Sequence, residues 1–250
     1  MSYQFIARRD RVLVLAAVAG LAVISWAYLI YLGFQNKPVT RGMAMPMVWS
    51  AVDFVFMFVM WAIMMFAMML PSVTPAVMIF DRVSVKRVSA GRPPAPTSAF
   101  IFGYLLIWVA FSLIATVANW GLHANGTMTG MMGRVAPEVA GFLMIAAGVF
   151  QWTPAKNACL EHCRSPMSFL IQNWREGFSG AARMGLSHGA YCLGCCWMLM
   201  LLLFALGVMN LPWVAVLTVA ILAEKTLPHG RVISRALGVV LVVWGFVLIF

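Results

Sequence analysis

All five cysteines of the chain, and two of its four histidines, fall in two short runs. The longer run, HGAYCLGCCWMLM from His188 to Met200, sets His188, Cys192, Cys195 and Cys196 at spacings i, i+4, i+7 and i+8. On a helix these positions form one stripe, because residues three and four apart share a face. The shorter run, Cys159-Leu160-Glu161-His162-Cys163, repeats the i, i+3, i+4 arrangement about thirty residues earlier. Thiolate and imidazole suit Cu(I), Zn(II) or an iron–sulfur cluster. The two runs together predict a metal site, with Cu(I) as first choice and Zn(II) as second. Two other readings of the same residues stay open: redox-active thiols, and cysteines that serve only as small packing residues.

The methionines extend this chemistry. Met43-Ala44-Met45-Pro46-Met47 is an M-x-M-x-M run in a polar loop, and a second loop carries His123, Met128, Met131 and Met132. A thioether in water gains little from packing and is a ligand mainly for soft monovalent copper. Between them, Met60, Met64 and Met68 form an i, i+4, i+8 stripe, with Met57, Met65 and Met69 beside it. Core packing is the competing reading there, since Met fills irregular apolar gaps. Read as a series, the sulfurs run from loop thioethers through a helical stripe to thiols.

The elements that position these groups are apolar helices. The chain is 63% hydrophobic and only 10% charged, against about half and about a quarter in soluble domains. It reads as one all-α transmembrane domain over residues 1–250. With about twenty apolar residues per span, seven spans are expected, near 12–34, 50–78, 98–122, 137–157, 186–209, 212–228 and 232–250. The fourth is expected to continue as helix to Arg164, where Pro166 supplies a stop, and Pro71 and Pro75 to kink the second near its end. A short interfacial helix is expected around Met167 to Ile171. The first apolar run is too long for a signal peptide and has no small-x-small cleavage site.

Charge sets the expected orientation. With the N-terminus in the cytoplasm, fourteen of the seventeen Lys and Arg lie in cytoplasmic segments, and only Lys37, Arg41 and Arg134 lie outside. The C-terminus is then outside, and both Cys runs fall at the cytoplasmic ends of neighbouring antiparallel spans. A reducing cytoplasm argues against a disulfide there. The net charge of +10 reads as this topology signal, with membrane lipid and not nucleic acid as the partner. Asp53, Glu224 and Lys225 are ionisable groups at membrane depth. Glu224 and Lys225 read as a neutralising pair or as interfacial anchors, and Glu161 as a hydrogen-bond partner to a ligating imidazole. No C-x-x-C-H, H-E-x-x-H or G-x-x-x-x-G-K-[ST] motif is present, which sets aside covalent haem, that zinc-protease helix and P-loop nucleotide hydrolysis.

The runs MMFAMMLPS (64–72), QWTPAKNACLEHCRSP (151–166) and GAYCLGCCWMLM with GVMNLPW and AEK (189–225) resemble a bacterial family of predicted metal-binding integral membrane proteins, a domain of unknown function. The resemblance covers most of the chain from the second to the sixth span and rests on CLxxCR and CxGCCW motifs. It implies a polytopic helical protein of the bacterial inner membrane with Cys159, Cys163, Cys192, Cys195 and Cys196 as ligand positions. Gln151, Lys156, Glu224 and Lys225 match the pattern without an implied role. The expected function is copper handling: outer Met loops (Met43, Met45, Met47) collect Cu(I), Met64 and Met68 line its route, and the cytoplasmic-side Cys/His cluster receives it. A thiol- or metal-dependent membrane oxidoreductase, and a subunit or assembly factor of a larger membrane complex, are the alternatives.

Overall fold

The computed structural model describes residues 2–35, 49–128, 133–208 and 210–250; within these, side chains are described for 16–33 and from 49 onward. The described residues form nine helices: α1 (Ser2–Gln35), α2 (Ala51–Ser89), α3 (Thr97–Ala124), α4 (Pro137–Phe150), α5 (Pro154–Arg164), α6 (Pro166–Asn173), α7 (Gly177–Leu206), α8 (Leu211–Thr226) and α9 (Gly230–Ile249). Five of them, α1, α2, α3, α7 and α9, are long and apolar enough to cross a membrane. α4 and α8, at 14 and 16 residues, are shorter than the roughly 20 residues that a bilayer core asks for.

α2 starts on a capping box. The Ser50 hydroxyl accepts from the Asp53 N–H, and the Asp53 carboxylate accepts from the Ser50 N–H, which satisfies two otherwise orphaned donors. Asp53 is thereby explained as a cap. The helix then runs unbroken through Pro71 and Pro75 to Ser89, eleven residues past the expected end at 78. A proline lacks the N–H that would bond four residues back, so Pro71 leaves the Ala67 carbonyl without its helical donor. The Trp26 indole of α1 supplies one at 3.0 Å. Hydroxyls nearby bond helix carbonyls too, Ser72 to Met69 and Thr74 to Leu70.

The expected fourth span is two helices. α4 ends at Phe150, a turn covers Gln151 and Trp152, and α5 restarts with Thr153 as N-cap and Pro154 in its first turn. Pro154 is the cause: it has no N–H to donate to Phe150 and its ring crowds that carbonyl, whereas in the first turn of a new helix neither matters. The short helix expected around Met167 to Ile171 is present as α6.

Glycines set how closely the helices approach. A Cβ at Gly141 or Gly148 of α4 would meet the Gly245 or Gly238 carbonyl of α9 at 2.8 or 2.7 Å, so the two backbones touch, as small residues allow between helices in lipid. Gly103 of α3 faces the Ala182 backbone, and Gly185 and Gly189 of α7 face the backbone of Phe100 and Tyr104. α7 is thus clamped on α3 and also packs against α4, α5 and α8, while α2 packs on α1, α3, α6 and α8.

Candidate metal centre

α7 begins at Gly177, nine residues before the expected 186. Cys192, Cys195 and Cys196 therefore lie midway along a 30-residue helix, where an expected start at 186 would have put them near its end. All three are buried. The close α3–α7 approach brings Tyr104 to the Cys192 sulfur at 3.1 Å. From α8, the Lys225 ammonium reaches the same sulfur at 2.9 Å, with the Ser72 hydroxyl at 3.3 Å and the Met69 thioether at 4.0 Å from its Nζ. The Cys195 and Cys196 thiols both donate to the Cys192 carbonyl, at 3.1 and 3.0 Å.

α5 brings in the other thiols. The Cys163 sulfur lies 4.0 Å from the Cys195 sulfur, and Cys163 also interacts with Cys192. Cys159 lies over Gly194: a Cβ there would come within 2.8 Å of the Cys159 sulfur. The glycine of CxGCCW is a notch for the first cysteine of CLxxCR. The two motifs meet. On α5, which is not among the helices long and apolar enough to cross a membrane, burial first and then Cys195 push the Cys159 thiol above the ordinary thiol range. Cys163 is raised further, first by its hydrogen bonds with Cys192 and Cys195 and then by burial.

The histidines do not join them in the same way. The His162 ring stacks on Tyr191 at 4.1 Å, and its Nδ1 is 2.8 Å from the Ala158 carbonyl of its own helix. His188 is buried among Phe100, Tyr104 and Phe169, with ring centroids 5.9, 6.2 and 5.5 Å away, and its Nδ1 has no hydrogen-bond partner. Met64 and Met68 are buried in α2 with Met57, Met60, Met65 and Met69. Met43, Met45 and Met47, like Met131 and Met132, lie outside the described residues. Met128, expected in a watery loop, is buried.

The charged residues differ from the sequence reading most. Glu224 and Lys225 do not pair with each other. Glu224 takes Lys156 of α5 at 2.8 Å, with both side chains buried, and Lys156 also bonds Gln151. Arg164 donates to the Glu224 and Pro228 carbonyls. Glu161 pairs with Arg231 and not with an imidazole. Lys225 and Tyr104 are thus the contacts of the thiol cluster that sequence reasoning missed; a lysine at the end of an apolar helix was the one available hint.

Thiol sulfurs suit a soft ion. Two sulfurs bonded to one ion at about 2.3 Å stand about 3.8 Å apart in tetrahedral and about 4.0 Å apart in trigonal geometry, and Cys163 and Cys195 are 4.0 Å apart. Among the described residues, however, no group of three or more His, Cys, Asp or Glu stands in a metal-holding arrangement. Instead, the Cys192 sulfur meets Lys225 and Tyr104, and the Cys195 and Cys196 thiols bond the Cys192 carbonyl. A family model described as copper chaperone, PpoB2, matches residues 58–248. The chain belongs to the PpoB2 copper chaperone family. That match takes in every described thiol and the whole α2 methionine stripe. No curated protein and no solved structure matches the chain.

Proposed function

We propose that the protein binds Cu(I) on the thiols where α5 meets α7 and hands it on, as a membrane-embedded copper carrier. The observation that carries this is the approach of Cys163 to Cys195, 4.0 Å between sulfurs from two helices, with Cys192 alongside. The ion is cargo. Cys163, Cys192 and Cys195 are its inner ligands, with Cys159 and Cys196 within reach of the same sulfurs, and His188, whose buried Nδ1 is unpartnered, as a further donor. Binding needs Cys195 and Cys196 to release the Cys192 carbonyl, a side-chain rotation within one helical turn. Such a site gives up its ion easily, because the Lys225 ammonium stands ready to take back the Cys192 sulfur and the Cys192 carbonyl the Cys195 and Cys196 thiols.

In this reading Met43, Met45 and Met47 collect Cu(I) outside, and Met60, Met64 and Met68 pass it along α2 toward Met69, which lies beside Lys225. Thiolates hold Cu(I) more firmly than neutral thioethers, so transfer runs toward the cysteines. The whole chain acts as one domain in the bacterial inner membrane, N-terminus inside, with lipid around it and a copper-receiving protein or complex as partner. His162, stacked on Tyr191, orients that ring instead of binding the ion.

Anaerobic Cu(I) loading of the purified chain tests the proposal, read by elemental analysis and by protection of thiols from alkylation. About one ion per chain is expected, falling below about a tenth when Cys163, Cys192 and Cys195 become Ser. Full loading of the triple variant, or none of the wild type, overturns it. The Lys225–Cys192 contact also favours a second reading, a redox thiol, since a neighbouring lysine activates cysteine. Rapid alkylation of Cys192 that added Cu(I) does not slow would support that reading over the first.

A further inference from the structure

We propose that the Lys225 ammonium makes the thiol cluster select a monovalent over a divalent ion, an inference that rests on the copper reading above. Lys225 is buried, and its Nζ lies 2.9 Å from the Cys192 sulfur. Among the described residues the carboxylates in ion pairs are Glu161, Glu176 and Glu224, held by Arg231, Arg87 and Lys156. Lys225 is in none of these pairs. A buried charge needs an opposite partner, and the groups it faces that can carry negative charge are the thiols, with Cys192 in hydrogen-bond contact. The neighbouring Lys156–Glu224 pair sums to zero, and the Arg164 guanidinium on the Glu224 and Pro228 carbonyls adds positive charge to the same side.

An ion bonded to Cys192 at about 2.3 Å stands no farther than about 5 Å from that ammonium. Cu(I) and Zn(II) on the same sulfurs differ by one positive charge, however many thiolates take part. Lys225 repels that extra charge. At about 5 Å the repulsion disfavours the divalent ion by about fourfold in a water-like environment and by about three-hundredfold at the effective dielectric of a protein site. The soft sulfur donors already prefer Cu(I); the ammonium adds a preference by charge.

The test measures Cu(I) and Zn(II) affinities of the full chain in detergent by competition with chelators, for wild type, Lys225→Met, Lys225→Gln and Lys225→Arg. The ratio of Zn(II) to Cu(I) dissociation constants is expected to fall about tenfold or more in the Met and Gln variants and to hold in the Arg variant. A merely structural loss weakens both ions together and leaves the ratio in place. A ratio unmoved in both uncharged variants, or lost equally in the Arg variant, overturns the inference and leaves copper binding standing. A wild type that binds no Cu(I) overturns both. The Gln variant serves alone if the Met variant does not fold.

Discussion

The pair of Lys156 and Glu224 ties α5 to α8 through buried groups, so it invites a double-mutant cycle. The two side chains are 0% and 2% exposed, and their charged atoms are 2.8 Å apart. Lys156→Met leaves the Glu224 carboxylate buried with its Oε1 already unpartnered, and Glu224→Met leaves a buried ammonium with the neutral Gln151 amide in place of a carboxylate. Removing one partner of a buried pair typically costs about 3–5 kcal/mol, while replacing both with groups of similar volume is close to neutral. Each single variant is therefore expected to lose about 3 kcal/mol or more, and Lys156→Met with Glu224→Met to regain most of it. Reversible unfolding in mixed micelles measures this. The cost has a local consequence as well. α5 carries Cys159 and Cys163, and loosening its hold on α8 lets Cys163 leave Cys195. Alkylation of Cys163 is then faster in the single variants and returns toward wild type in the double. Single variants that lose less than about 1 kcal/mol, or a double variant worse than either, would refute the reasoning, because the pair would then be solvated or its partners would be other groups.

Three further outcomes follow from particular contacts. Gly194→Ala places a Cβ within 2.8 Å of the Cys159 sulfur, so it should cost about 1–3 kcal/mol in micelle unfolding, most of it restored by Cys159→Ala. Trp26→Phe removes the donor to the Ala67 carbonyl and should cost about 1–2 kcal/mol; in a Pro71→Ala background the helix regains its own N–H, and the same change should cost less. The half-buried Cys159 has its thiol raised by burial and by Cys195. A raised pKa leaves less thiolate near neutrality, so its alkylation rate should rise through a higher pH range than that of free cysteine, and a profile at the free-thiol midpoint would contradict the placement over Gly194.

How far the sequence reaches is best seen at the thiols and at α8. Apolar length and low charge made the helices legible, since long apolar runs with few charges read as helices that satisfy their backbone within each segment. Pro154 was visible too, yet its effect depends on whether it sits inside a helix or opens one, which the sequence around it does not decide. The meeting of CLxxCR with CxGCCW was legible as a coincidence of spacing, but its fit was not: Gly194 becomes a notch only because α5 crosses α7 at that residue. Glu224 and Lys225 show why the rest was out of reach. Neighbours in sequence suggest a pair, but successive side chains on a helix point about 100° apart, so each must find a partner on a different helix. Which helix that is depends on the break at Pro154, because the turn at Gln151 and Trp152 is what carries Lys156 to Glu224. With Glu224 so occupied, Lys225 is left for Cys192. A backbone break in one helix thus determines the electrostatic surroundings of a sulfur in another, and a substitution that removes Pro154 should disturb the thiol cluster through Lys225 without touching a cysteine.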